Sequence, residues 1–208
     1  MKITKPLDNI LNTDAKTRIL RFLCRTGAEW NGTQIAKEVG ITPAAAHKSL
    51  SDLNKEGVLL LRNMGKAHVY SLNTDSFIVL NLLKPLFAKE DTVLENIIHA
   101  IKRKAYRSGI KNTIISMALY GSVNVRNDRP TSDIDLLIIA KNARVKTKIE
   151  RLFDKIDQNI SKTYGNTLAP YINTKAEFKA KHRKNMPVIR NILKAHTLIY
   201  GEKLEKIL

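Results

Sequence analysis

Residues 113–140, TIISMALYGSVNVRNDRPTSDIDLLIIA, form the stretch that decides the fold of this chain. The pattern predicts a strand, a turn, a loop and a second strand, because two apolar runs of strand length flank a polar segment. Two small residues, Gly121 and Ser122, end the first run, and two carboxylates, Asp133 and Asp135, open the second. The stretch therefore predicts two strands whose ends carry polar groups.

The two carboxylates predict a cation site. Asp133 and Asp135 are two residues apart, so on a strand they point to the same face. Like charges on one face repel each other, and packing gives no reason for them in an apolar strand. A divalent cation removes this repulsion, and Mg²⁺ takes oxygen ligands while keeping room for substrate phosphates. The alternative is structural: Ser132 and Asp133 cap a turn, and Asp135 protects an edge strand.

The small residues of the turn fit a phosphate. Gly121 can adopt a positive φ angle and lets a backbone approach closely. The Ser122 hydroxyl and the neighbouring N–H groups can hold a phosphate at the start of a helix. Ten residues separate Ser122 from Asp133, which gives the motif GS-x10-D-x-D.

This motif resembles the minimal nucleotidyltransferase core of the DNA polymerase β-like superfamily, over roughly residues 113–201. The resemblance implies that Gly121 and Ser122 hold the triphosphate of an NTP. It also implies that Asp133 and Asp135 are the catalytic carboxylates and the ligands of Mg²⁺. An active enzyme of this kind would move a nucleoside monophosphate from the NTP to a hydroxyl group.

The resemblance is incomplete in one respect. Active members carry a third carboxylate on the following strand, whereas the corresponding run here, residues 168–172 (LAPYI), has none, and Glu177 belongs to the next predicted helix. Loss of such a group commonly costs about 10²–10⁴-fold in rate, so nucleotide binding is favoured over catalysis. Arg126 and Ser132 complete the nucleotide-binding candidates, and in an active enzyme either Arg126 or Arg129 would neutralise developing charge.

The spacing of the motif also resembles that of small antitoxins that adenylylate a paired HEPN ribonuclease toxin. This resemblance implies a HEPN-type toxin as a partner of the chain. Nucleic acid and aminoglycoside acceptors, which occur across the superfamily, remain open alternatives.

A different pattern precedes this region, in residues 13–72. Capping signals and glycines predict three helices that end at Gly27, Gly40 and Gly57, and two apolar runs around residues 63–66 predict a hairpin. Three helices followed by a hairpin resemble the winged helix-turn-helix of bacterial and archaeal regulators. The resemblance implies that the third helix enters the major groove of double-stranded DNA and that the hairpin contacts the backbone or the minor groove.

The candidate DNA-binding residues lie on the third helix and the hairpin. They are Thr42, Ala44, Ala45, His47, Lys48, Ser51, Arg62, Lys66 and His68. We expect Lys48, Arg62 and Lys66 to contact phosphates, which gives affinity without sequence preference, and His47 and Ser51 to reach base edges. The alternative is a winged helix used for protein contact or for a homodimer.

The net charge of +17 is unevenly distributed. Residues up to Glu90 contain 13 basic and 8 acidic side chains, a balance of +5, against 23 and 11, or +12, in the remainder. Such a charge favours nucleic acids or phosphorylated substrates, although a lysine-rich genome or a hot habitat also produces it. The stretch 102–111, KRKAYRSGIK, is either a nucleic-acid contact or a solvated helix end.

These patterns together predict a multi-domain α+β protein. We expect a winged helix-turn-helix domain in residues 1–74, a helical connector in 75–111 and a nucleotidyltransferase-like α/β domain with a small mixed sheet in 112–208. The chain contains neither an apolar run of about 18 residues nor a signal-peptide pattern, so we expect no membrane partner and a cytoplasmic location. The single cysteine, Cys24, excludes a disulfide framework within one chain.

Overall fold

A computed structural model describes residues 2–65 and 67–208, and only the backbone of Lys111. The chain divides into two compact units, of which the first ends at Val93 and the second comprises Leu94–Leu208. Lys66, which was predicted to contact DNA phosphates, lies outside the described residues. No helix in the described part of the chain is long and apolar enough to cross a membrane.

The first unit has the element order of a winged helix. After a 3₁₀ turn, its elements are α1 (Asp14–Thr26), β1 (Trp30–Asn31), α2 (Gly32–Val39), α3 (Pro43–Lys55), β2 (Leu59–Met64) and β3 (Ala67–Leu72). The strands form an antiparallel sheet in the order β1-β3-β2. The winged helix-turn-helix architecture predicted from the sequence is therefore confirmed.

Side-chain caps define where the three helices of this unit begin. The side chains of Thr13, Asn31 and Thr42 each accept a hydrogen bond from the backbone N–H three residues further on. These bonds satisfy donors that a helix leaves unpaired at its first turn. Strand β1 was not predicted, since two residues carry no periodic signal; it forms because Trp30 pairs with Tyr70.

A helical segment completes the first unit. It consists of a π-helical turn, Val79–Leu83, followed by α4 (Lys84–Asp91). The widened turn lies just before Pro85, because a proline lacks an N–H and crowds the preceding backbone of a helix. Phe87 is buried in the same core as helices α1 to α3.

The second unit is built around one mixed sheet. Its elements are α5 (Val93–Arg107), β4 (Ile114–Leu119), α6 (Gly121–Asn124), β5 (Ile134–Ala140), α7 (Ala143–Tyr164), β6 (Leu168–Thr174), α8 (Lys175–Arg183), α9 (Pro187–Lys194), β7 (Thr197–Gly201) and α10 (Leu204–Ile207). The strand order is β6-β5-β4-β7, with β5 and β6 parallel and the other neighbours antiparallel. The predicted small mixed sheet is confirmed.

Each face of this sheet has its own core. Ile138 packs on one face with residues of α5 and α7, among them Phe153. Leu137 and Ile139 pack on the other face with α8, α9 and α10, among them Phe178. A strand buried on both faces needs apolar side chains at every position, which explains the continuous apolar run of β5. Asp135 alternates with Leu137 and so lies on the face of α8 and α9.

Candidate functional site

The site forms where β4 ends and β5 begins. Gly121 follows β4 with a φ of +73°, and a Cβ placed on it would lie 2.0 Å from Oδ2 of Asp135. The carboxylate thus packs against the backbone of Gly121. The φ angle of this glycine lies in a region that residues with a side chain rarely adopt. The backbone N–H of Tyr120 also donates to the carbonyl of Asp135 at 3.1 Å. The turn and the carboxylate, 14 residues apart in sequence, therefore share one place in the fold.

The second carboxylate lies at the mouth of this site. Asp133 is exposed just before β5, and the Thr167 hydroxyl donates a hydrogen bond to its Oδ1. Burial, and then the charge of Asp133, raise the pKa of Asp135 above its ordinary value. Both effects penalise the ionised form of Asp135, so a cation that binds both carboxylates would remove a real electrostatic penalty.

The remaining nucleotide-binding candidates lie in and beyond the turn. Ser122 is half-buried in the single helical turn α6, and its carbonyl accepts from the Asn127 N–H at 2.9 Å. Arg126 is exposed, and its φ of +56° puts its backbone in the left-handed region. The Ser132 hydroxyl accepts from the backbone N–H of Arg129 at 2.9 Å, which gives that hydroxyl a structural partner within the loop.

A comparison with protein families matches residues 95–205 to the model described as "Polymerase beta, Nucleotidyltransferase". The match covers 111 of the 208 residues, slightly more than half of the chain. The chain belongs to the polymerase beta nucleotidyltransferase family. The resemblance inferred from GS-x10-D-x-D is thereby confirmed, and residues 95–205 are its nucleotidyltransferase domain. No curated protein sequence matches the chain.

Several solved structures are similar to part of the chain. The antimony-specific transcriptional repressor AntR has 25% identity and a TM-score of 0.37, over 43% of this chain and 78% of that chain. A homodimeric winged helix-turn-helix DNA-binding domain from Mycobacterium bovis has 22% identity and a TM-score of 0.37, over 45% and 82%. The repressor BigR from Xylella fastidiosa has 18% identity and a TM-score of 0.36, over 41% and 83%.

A cluster that the sequence did not reveal borders the carboxylates of the nucleotidyltransferase domain. Burial raises the pKa of Tyr120 to about 12, and the neighbouring Asp135 and Tyr171 contribute to the rise. Lys181 donates to the Tyr171 hydroxyl at 2.9 Å, donates to Oδ1 of Asn173, and lies over the Tyr171 ring. Tyr120 follows β4, Tyr171 and Asn173 lie on β6, and Lys181 lies on α8, so only the strand order could have indicated that these residues lie close together.

Glu177, the nearest acid to the missing third carboxylate in sequence, is engaged elsewhere. It accepts from the Thr174 N–H at 2.7 Å in a capping box and forms an ion pair with Lys146 at 3.1 Å. Thr174 pairs with Ala140, five residues along β5 from Asp135, a separation of roughly 16 Å along the strand. Glu177 therefore cannot replace the missing third carboxylate, and among the described residues the site has only the two carboxylates Asp133 and Asp135.

The donor set fits Mg²⁺ held together with a nucleotide. Within residues 2–65 and 67–208, no group of three or more His, Cys, Asp or Glu side chains is arranged to hold a metal ion. Two carboxylates suffice for Mg²⁺ when phosphate oxygens and waters complete its octahedral shell. The amide oxygen of Asn124 in α6 is buried without a hydrogen-bond partner among the described residues, and is a further hard oxygen in the same turn.

The DNA-binding candidates are not equally available. Ala44, His47 and Lys48 are exposed on α3, and Ser51 is half-buried one turn later. The Thr42 hydroxyl accepts from the Ala45 N–H at 3.2 Å as the helix cap, so its hydroxyl already has a structural partner.

The candidate DNA-binding residues of the hairpin also differ in how accessible they are to DNA. Arg62 is exposed but pairs with Glu29 at 3.2 Å, so binding a DNA phosphate would require exchange of that ion pair. His68 is exposed and lines, with His47, a cleft of about 480 Å³ between α3 and β3. The third helix and the hairpin thus present one continuous set of candidates.

Proposed function

We propose that this chain is a DNA-binding transcriptional regulator whose nucleotidyltransferase domain binds Mg²⁺–NTP. The observation that carries the nucleotide part is the packing of the Asp135 carboxylate against Gly121. This packing supports the proposal because it puts one of the two carboxylates directly beside the turn that would hold the phosphates.

Each residue has a distinct role in this proposal. The backbone N–H groups of the turn and the Ser122 hydroxyl donate to the triphosphate. Asp133 and Asp135 provide the metal ligands, and the chemistry that Mg²⁺ supplies in such a site is neutralisation of phosphate charge. Arg126 approaches the phosphates from the loop, and Ser132 holds the loop that carries it.

The DNA part rests on the winged-helix unit. Its third helix exposes Lys48, a candidate for a phosphate contact, and His47, a candidate for a base edge. Base-reading side chains are few on this helix, so we expect modest sequence specificity. The net charge of +17 adds a general attraction for DNA that weakens with salt.

Calorimetric titration of the full chain with ATP, GTP, CTP and UTP, with and without Mg²⁺, tests the nucleotide part. We expect Mg²⁺-dependent binding of at least one nucleotide by the wild type and its loss in Asp133→Asn. A ligand at a hundred times its Kd should also stabilise the protein by about 2.7 kcal/mol. Absence of binding for all four nucleotides would refute this part of the proposal.

Selection from a random pool of DNA duplexes tests the regulatory part. Enrichment of a defined site, lost in a His47→Ala, Ser51→Ala double variant, supports a regulator that reads sequence. An equal, salt-dependent affinity for every duplex contradicts a sequence-specific regulator, and absence of DNA binding favours a winged helix used for protein contact.

Nucleotidyl transfer is the second candidate function, and membership of the nucleotidyltransferase family favours it. In this reaction an acceptor hydroxyl oxygen forms a bond to the α-phosphorus of the NTP. The bond from that phosphorus to the bridging oxygen breaks, pyrophosphate leaves, and the hydroxyl proton passes to solvent. The acceptor hydroxyl would come from one of three classes of molecule: a protein such as a HEPN-type toxin, a nucleic acid or a small molecule.

Pyrophosphate release in the presence of each acceptor class measures this activity. We expect Asp135→Asn to abolish release, because a ligand of the catalytic metal is lost. Turnover that survives in Asp135→Asn would rule out this mechanism, while nucleotide binding without turnover would leave the domain as a nucleotide-responsive module.

A further inference from the structure

The nucleotidyltransferase domain has a cavity that lies away from the carboxylates. It has a volume of about 420 Å³ and is lined by residues of α5, β4 and β7. This volume falls in the range of small-molecule sites, roughly 300–1,000 Å³. All its lining residues belong to the unit Leu94–Leu208.

The sheet register separates this cavity from the candidate nucleotide site. Ile114, at the beginning of β4, pairs with Ala140 at the end of β5, whereas Asp135 lies near the beginning of β5. Met117 belongs to the core shared with α5 and α7, on the face opposite to Asp135. The cavity therefore lies at the other end and on the other face of the sheet.

The cavity has an apolar floor and a cationic rim. Ala105, Ile114 and Met117 are buried and form the floor. The rim consists of exposed cationic or titratable side chains of α5, all within three helical turns. They are His99, Lys102, Arg103 and Arg107.

Within the part of the chain that the structure describes, these rim side chains form no ion pair. Across residues 2–65 and 67–208, no ion pair joins any of them to a carboxylate, whereas Arg21 pairs with Glu90 and Arg25 with Asp91. Cations in the last turns of a helix are favourable with the helix dipole, which accounts for Lys104 and Arg107. The dipole does not account for an apolar cavity beneath the cations.

We propose that this cavity binds a small organic anion with an apolar body, such as an aromatic or aliphatic carboxylate, sulfonate or phosphate ester. The apolar body would cover Met117 and Ile114, and the anionic group would pair with the cations at the rim. Charge complementarity favours an anion over a neutral ligand, and the apolar floor of about 420 Å³ favours a small molecule over an extended nucleic-acid backbone.

Fluorescence titration of the full chain with 8-anilinonaphthalene-1-sulfonate tests this proposal, with the uncharged N-phenyl-1-naphthylamine as the matched ligand. We expect the sulfonate to bind at least tenfold more tightly than the neutral amine. The double variant Lys102→Gln, Arg107→Gln should weaken sulfonate binding about tenfold, the loss of two charge-assisted contacts. Ala105→Phe, which fills the floor, should weaken both ligands.

The matched control is Lys148→Gln, Lys155→Gln, which removes the same charge from exposed positions of α7. Equal weakening in this control would mean that net charge alone attracts the probe, and it would overturn the proposal. The proposal also fails if Phe77→Ser, which removes an exposed aromatic side chain of the first unit, abolishes binding while the cavity variants do not. Melting curves of every variant test whether the three α5 substitutions leave the fold intact.

Discussion

Replacement of Gly121 by alanine gives the sharpest test of the candidate nucleotide site. The added Cβ would lie 2.0 Å from Oδ2 and 2.9 Å from Cγ of Asp135, whereas ordinary contact begins at 3.4 Å. The oxygen must therefore retreat by about 1.4 Å, the difference between 3.4 and 2.0 Å. Displacement of a site group by about 1 Å can cost on the order of 10²-fold, so we expect Mg²⁺–NTP affinity to fall by about that factor.

Backbone strain must be separated from this displacement. An L residue in the left-handed region costs about 1–2 kcal/mol, and Gly121→Ala would carry that cost as well. Gly165, at the end of α7, has a φ of +82° with nothing within 4 Å of a built Cβ. Gly165→Ala therefore reproduces the strain without touching Asp135, and serves as the matched control.

The assay is calorimetric titration with Mg²⁺–NTP, together with thermal unfolding of both variants. We expect both alanines to lower the melting temperature by several degrees, roughly 3–8 °C, and only Gly121→Ala to lose nucleotide affinity. If Gly121→Ala binds nucleotide as tightly as Gly165→Ala does, the carboxylate beside the turn is not part of the binding site and the reasoning fails.

Three further predictions concern individual charges. Asp135→Asn should raise the melting temperature of the nucleotide-free protein, because burial and Asp133 penalise the charged form, while abolishing stabilisation by Mg²⁺–NTP; a lower melting temperature would contradict this. Lys48→Gln should weaken binding to all duplexes alike and reduce the salt slope by about 1, whereas the exposed Lys89→Gln should not. Glu177→Ala should destabilise the protein by about 1 kcal/mol at pH 7 through loss of the cap and leave nucleotide binding intact. Hydrogen bonding to the backbone of Thr174 lowers the pKa of Glu177, so this stability is present at neutral pH and is lost as the pH falls through the folded-state pKa. Chemical denaturation should therefore give different free energies of unfolding for the wild type and Glu177→Ala at pH 7, and the two free energies should converge at pH 3.

Local signals account for most of what could be predicted. The helix ends at Gly27 and Gly40 depend on hydrogen bonds within a few residues, and the structure has them where the sequence predicted. The fold class and the family are also confirmed. The division into residues 1–74, 75–111 and 112–208, and the roles of the individual site residues, remain predictions.

Contacts between distant elements could not be read in the same way. The pairing of Trp30 with Tyr70 depends on the hairpin folding back over 40 residues. The shared packing of Tyr120 and Tyr171 against one core cluster depends on the order β6-β5-β4. Neither arrangement produces a periodic pattern in the amino-acid sequence.

The sequence by itself determined the strand, turn and strand of residues 113–140 and the two carboxylates, because apolar period and turn chemistry act over short stretches. Only the tertiary structure decided that the Asp135 carboxylate packs on Gly121, that Glu177 pairs with Lys146, and that cationic side chains of α5 line the rim of an apolar cavity. These features depend on strand register and on which helix covers which face of the sheet. The physical reason is that register and layer order are settled by burial of the whole core, which no single segment encodes.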